Sequence, residues 1–180
     1  MTSPHVVLDF WFKESTPEQW FSKSNLFDQH IQTHFFELHQ HACAGELFSW
    51  RLTAQGRLAE IIVLDQFSRN LYRDDARAFA QDGMALILAQ EAIALGLDAS
   101  LNQTERAFLY MPYMHSESKL IHEEAILLFT QLGNENNLRF EKMHKAIIDQ
   151  FGRYPHRNAV LGRTSSLEET AFLQQPNSSF

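Results

Sequence analysis

Apolar residues recur along this chain three to four positions apart, and nowhere do they alternate for the length of a strand. Phe27, Ile31, Phe35, Leu38 and Ala42 share one side of a helix expected over 25–43, which Gly45 ends. Over 57–73, Leu58, Ile61 and Ile62 define one face, while Val63, Leu64 and Phe67 cover most of the rest. A helix apolar nearly all round belongs in the interior. Further helices are expected over 75–95, capped by Asp74 and Asp75 and closed by Gly96, and over 105–111, capped by Thr104 and stopped by Pro112. Two more follow over 117–132, capped by Ser116, and over 135–151, opened by Asn134 and closed by Gly152. Shorter helices are expected over 4–12, entered at Ser3, and after Ser15 or Thr16 with Pro17, carrying Trp20 and Phe21. Ser165 with Glu168, or Ser166 with Glu169, is a capping box for a last helix through Leu173. The pattern predicts an all-α chain with a single domain over 1–173 and a frayed tail over 174–180.

Composition narrows the classes. A length of 180 residues suits one domain with a substantial core. With 44% apolar residues, 12% aromatic and fifteen Phe, disorder is excluded for most of the chain. A net charge of −7 argues against a general nucleic-acid or anionic-membrane surface, but leaves a local anion pocket open. The one cysteine, Cys43, has no disulfide partner, which fits a reducing cytoplasm. No cationic start precedes a long apolar run, and Asp9 interrupts the first one, so neither a signal peptide nor a transmembrane span is expected.

Chemistry concentrates in residues 151–163, Phe-Gly-Arg-Tyr-Pro-His-Arg-Asn-Ala-Val-Leu-Gly-Arg. Arg153, His156, Arg157, Asn158 and Arg163 stand here without an acidic residue, and Gly152, Pro155 and Gly162 rule out one regular helix. On the interior helix, Asp65 and Arg69 have the acid-then-base i, i+4 order that favours pairing, and Arg73 extends the stripe past Asn70. An internal pair and a ligand role are both open for Asp65 and Arg69. Glu117 lies on the side of Leu120 and Leu128 and is expected to face inward. His115, His122 and Glu123 do not converge, because His122 points roughly 140° away from Glu117 on one helix. His144 sits in the middle of the apolar face made by Phe140, Met143, Ile147, Ile148 and Phe151, where a satisfied core histidine and a ligand are the two readings. His30, His34, Glu37 and His41 fall within roughly 60° of one another and read as a solvated stripe rather than a metal site.

Arginine and lysine are segregated. Arg69, Arg73, Arg77, Arg153, Arg157 and Arg163 fall in or beside these two stretches, and all five lysines fall elsewhere. Arginine tolerates burial and makes forked contacts with carboxylates or phosphates. The two stretches are therefore expected to share a partly buried polar centre, with Asp65 and Glu117 as counter-charges and His115, His144 and His156 as members.

The stretches Val7-Leu-Asp-Phe-Trp-Phe12, Ile62-Val-Leu-Asp-Gln-Phe-Ser-Arg-Asn-Leu-Tyr-Arg73, Phe108-Leu-Tyr-Met-Pro112 with His115-Ser-Glu117, and Phe151-Gly-Arg-Tyr-Pro-His-Arg-Asn158 with Leu161-Gly-Arg163 carry a resemblance. Through nearly its whole length the chain resembles the bacterial domain of unknown function 924 family. That resemblance implies a helical domain of antiparallel, tetratricopeptide-like helix pairs, and brings no established activity or catalytic residues. The chain has Ser68 where members tend to have proline, and His122 where glutamine is usual.

The leading expectation is a small anionic ligand, bearing phosphate or carboxylate, bound by Arg69, Asn70, Arg73, Arg153, His156, Arg157 and Asn158. No cofactor, metal, nucleic acid or membrane is expected. The alternatives are an adaptor offering a groove to a peptide or protein partner, and a hydrolase or transferase acting on an ester through a histidine acid–base. A third reading makes the arginines an internal network that fixes the packing.

Overall fold

The computed structural model describes residues 2–176, 178 and 179. They form helices joined by turns, with no strand among the described residues. Two compact units emerge, one from residues 1–73 and 77–112 and one from 74–76 and 113–180.

In the first unit, helix α1 (Pro4–Asp9) is entered at Ser3 and runs on into a π-helical turn, Phe10–Glu14. Ser15 closes that turn, its N–H and its hydroxyl both donating to the Phe10 carbonyl. Helix α2 (Pro17–Phe21) is capped by Thr16, reciprocally with Gln19. Helix α3 (Asn25–Cys43), capped by Ser24, buries Phe27, Ile31, Phe35, Leu38, His39 and Ala42 as its spacing predicts.

The central segment comprises α4 (Ala54–Ile62), a π-helical turn (Val63–Phe67) and α5 (Ser68–Leu71). Every residue from 56 to 68 is buried, as expected of a helix apolar nearly all round. It starts earlier than the apolar pattern suggests, because the hydroxyl of Thr53 accepts from the Gly56 N–H and caps it there. The π turn widens the helix by one residue per turn and is where Asp65 and Gln66 enter the interior. Helices α1 and α6 (Asp82–Ala94) pack against α4, and α3 packs against α5.

Asp74 and Asp75 do not cap α6. Asp74 takes a left-handed φ of 60°, incompatible with the extended N-cap conformation, and a 3-10 turn, Ala76–Phe79, intervenes. Helix α7 (Gln103–Met114) is capped by Asn102 rather than Thr104: Asn102 accepts from the Glu105 N–H, and the Glu105 carboxylate accepts from the Asn102 N–H. Pro112 does not stop it. The proline forfeits one rung near the end of the helix, while residues 107–114 are all buried, so packing holds the last turn.

In the second unit, α8 (Lys119–Leu132) and α9 (Glu135–Phe151) form an antiparallel pair. Gly133, at φ 73°, and Asn134 join them, and the Asn134 side chain accepts from the N–H groups of Asn136 and Asn137. Ser118, not Ser116, stands at the start of α8, so Glu117 lies in the approach to the helix. The chain then passes a 3-10 turn, Pro155–Arg157, to α10 (Leu167–Phe172), opened by the Ser166–Glu169 capping box. In the stretch expected to fray, the Ser178 hydroxyl donates to the Leu173 carbonyl, while Asn177 and Phe180 lie outside the described residues. No helix is long and apolar enough to cross a membrane among the described residues.

Candidate functional site around Tyr154

Residues 151–163 fold around Tyr154. Gly152, at φ 69°, turns the chain out of α9, and Gly162, at φ 65°, turns it back so that Arg163 N–H reaches the Asn158 carbonyl at 2.8 Å. Tyr154 is fully buried, with its hydroxyl donating to the Met114 carbonyl and its N–H donating to Glu117 at 2.8 Å. Arg163 forks onto the same Glu117 carboxylate at 2.6 and 2.9 Å and also reaches Asn158 Oδ1 at 2.9 Å. Asn158 is itself buried and donates to Ser165 Oγ. Glu117 thus ties the stretch to the start of α8.

The Arg157 guanidinium lies 4.6 Å from the centre of the Tyr154 ring and donates to the His115 carbonyl at 3.0 Å. Three imidazoles surround that ring: His156 at 5.5 Å, His144 at 5.7 Å and His122 at 6.3 Å between centroids. His144 Nδ1 donates to the Phe140 carbonyl one turn back on α9. His122 Nδ1 meets Glu141 at 2.7 Å and its Nε2 meets the Ser116 carbonyl at 2.8 Å. Beside this group, Arg153 forks onto Glu169 at 2.6 and 2.8 Å, next to a shallow depression of about 350 Å³ lined by Gln150, Phe151, Arg153, Ser166, Glu168 and Glu169.

These surroundings set the protonation states. Burial pushes His144 down to about 3, so it is neutral near neutrality despite its contact with Phe140. Burial also acts to raise Glu117, but the Arg163 fork, the Tyr154 N–H and the nearby Arg157 more than offset it and hold the carboxyl below the usual range. Arg153, with the Ser166 N–H, holds Glu169 at about 2. Glu141 is raised by burial, a push that its bond to His122 only partly opposes.

The Asp65–Arg73 stripe belongs to the first unit. Arg69 pairs with Asp65 at 3.1 Å, as the i, i+4 spacing predicts, and forks onto Asp82 at 2.9 and 3.0 Å. Arg73 forks onto Asp28 at 2.6 and 2.7 Å, and Asn70 donates to the same carboxylate. The two stretches expected to share one centre therefore fall in different units, and each meets carboxylates inside its own. Arg69, Asn70 and Arg73 accompany Asp65; Arg153, His156, Arg157, Asn158 and Arg163 accompany His115, Glu117 and His144.

Several members escaped the sequence. Asp28 and Asp82 are first-turn acids of α3 and α6, a place where the helix dipole alone explains an acid. His122 was expected to point away from Glu117. Because α8 starts after Glu117, the two are not on one helix, and both reach Tyr154. Glu141 sits three residues before His144, so a glutamate on the apolar face of α9 was the available signal. His39, also buried, bonds Ser68 Oγ at 2.7 Å, and the Ser68 hydroxyl donates to Leu64, which gives the unusual serine a partner.

On α3, the ring of His30 stacks on Phe10 at 5.1 Å and on His34 at 4.1 Å, while His34 Nδ1 bonds the His30 carbonyl. His41 pairs with Glu46. Among the described residues no group of three or more His, Cys, Asp or Glu is arranged to hold a metal ion.

A solved structure of a protein of unknown function from Agrobacterium tumefaciens is similar at a TM-score of 0.91 and 36% identity, over 95% of this chain and 96% of that one. No curated protein matches. The family model described as bacterial protein of unknown function, DUF924, matches residues 7–177. With the family model matching it across nearly its full length, the chain belongs to the DUF924 family.

Proposed function

We propose that the chain binds a small anionic ligand, bearing phosphate or carboxylate, beside Tyr154 in the second unit. The observation that carries this reading is the crowding of ionisable side chains around one buried phenol. Arg157, His122, His144 and His156 all contact the Tyr154 ring, and Glu117 and Glu141 stand behind them. Clusters of buried groups with displaced protonation equilibria mark binding and catalytic sites more often than they occur elsewhere.

The roles divide by burial and by partner. The Arg157 guanidinium lies over the Tyr154 ring at 4.6 Å from its centre and grips the oxyanion through its N–H groups. His156, half-buried and 5.5 Å from the same ring, and half-buried His115, whose carbonyl accepts from Arg157, supply hydrogen bonds to the same ligand. Arg163, Asn158 and Glu117 hold the backbone of the stretch in place, and Arg153 does so through Glu169.

Melting temperature measured against phosphate, sulfate and citrate at constant ionic strength tests the reading. A saturable rise is expected for the wild type. The rise disappears in Arg157→Gln and persists in Lys142→Gln, whose lysine is exposed. A wild type indifferent to all three anions overturns the proposal.

A further inference from the structure

His122 and Glu141 are both 0% exposed, and they join α8 to α9 across the helix pair. The carbonyl of Ser116 can only accept, so His122 Nε2, 2.8 Å away, carries a proton. The Tyr154 hydroxyl lies 3.2 Å from the same nitrogen and gives its own proton to Met114, so it too faces Nε2–H as an acceptor. One further proton lies between His122 Nδ1 and Glu141 Oε1, at 2.7 Å.

The other oxygen of Glu141 decides where that proton rests. Oε2 is buried and meets no hydrogen-bond donor among the described residues. An ionised carboxylate spreads its charge over both oxygens, and leaving one of them bare in the interior is costly. A neutral acid uses Oε1–H as the donor to Nδ1 and leaves only a carbonyl oxygen behind. The surrounding charges do not reverse this choice. His144 is neutral, and Lys145 is engaged by Asp149 at 2.7 Å. Burial displaces Glu141 in the same direction.

We propose that Glu141 and His122 form a one-proton latch between α8 and α9, in which Glu141 is the neutral acid donating to His122 and loss of its proton at alkaline pH loosens the helix pair. The sign follows from the proton count. Above about pH 6.5 an unfolded chain has released the protons of both side chains, whereas the folded pair retains one. Stability is therefore lost as pH rises from there toward the pH at which the latch opens.

Two measurements test the latch. In a long-range proton–nitrogen spectrum at pH 7, His122 is expected as the neutral tautomer, with Nε2 protonated and Nδ1 bare. Two protonated ring nitrogens overturn the proposal. In Glu141→Gln, the amide N–H replaces the acid O–H, so the melting temperature at pH 7 should stay within about 3 °C of the wild type. As pH rises above 7, the wild type should lose about tenfold in its folding equilibrium per pH unit relative to Glu141→Gln. Parallel pH profiles in the two proteins overturn the latch, and if the variant does not accumulate, the wild-type spectrum decides by itself.

Discussion

Arg69 is held at four oxygens: both of Asp82, one of Asp65 and the carbonyl of Asp65. Asp65 is 1% exposed, and its carboxylate also accepts from the Gln66 amide at 2.6 Å. Arg69→Ala should lower stability by about 3–5 kcal/mol, read from the urea midpoint, because it removes the guanidinium that pairs with a buried carboxylate. An unchanged midpoint would show that Asp65 is hydrated. The Asp65–Arg69 half of this knot is legible in the chain, since four residues of helix bring the two together whatever surrounds them. The Asp82 half is not, because thirteen residues and a turn separate it from Arg69. His144 was readable as a buried residue from its place on the apolar face of α9, whereas its neutrality follows from how tightly that face is covered.

Helix positions follow the apolar period and the caps closely where both agree, as in α3, α9 and α10. They part company where tertiary contacts outweigh local preference. Pro112 is tolerated inside α7 because the residues around it are buried. The central segment departs from a regular helix at Val63–Phe67, a widening that the apolar period cannot reveal, since nearly every side is apolar there. Its first turn also carries a steric constraint. A Cβ on Gly56 would stand 1.9 Å from the Trp50 carbonyl oxygen, a backbone atom that cannot swing aside. Gly56→Ala, normally favourable in a helix, should instead cost about 1–3 kcal/mol. A denaturation midpoint equal to or above that of the wild type would show that the turn before α4 yields.

Across the whole chain, two buried histidines, His39 and His144, should shape the acid side of the stability profile. Burial lowers His39 to about 4 and His144 to about 3. An unfolded chain takes up these two protons near pH 6.5 while the folded chain refuses them, so stability should begin to fall as pH drops below about 6.5. Glu169, held at about 2 by Arg153, adds a second loss. Its contribution is present above the ordinary carboxylate range and disappears as pH falls from about 4.5 toward 2. Urea midpoints between pH 7 and 3 should show the early limb in the wild type and a shallower one in His144→Phe. Identical slopes in the two proteins would show that His144 does not set the early limb.

Helix, cap and burial are local properties, repeated every turn, and they could be read along the chain before any contact was known. That Arg69, Glu117, His144 and Arg163 are polar groups set in or beside apolar stretches was legible along the chain, and each makes hydrogen bonds within the fold. Their grouping was not. Arg73 meets Asp28 across 45 residues and Arg163 meets Glu117 across 46, and nothing in either residue's neighbourhood names its partner. Charge is long-ranged and unspecific until packing fixes distance and excludes water. Which carboxylate each arginine holds, and which histidines gather at Tyr154, was decided only when the helices packed.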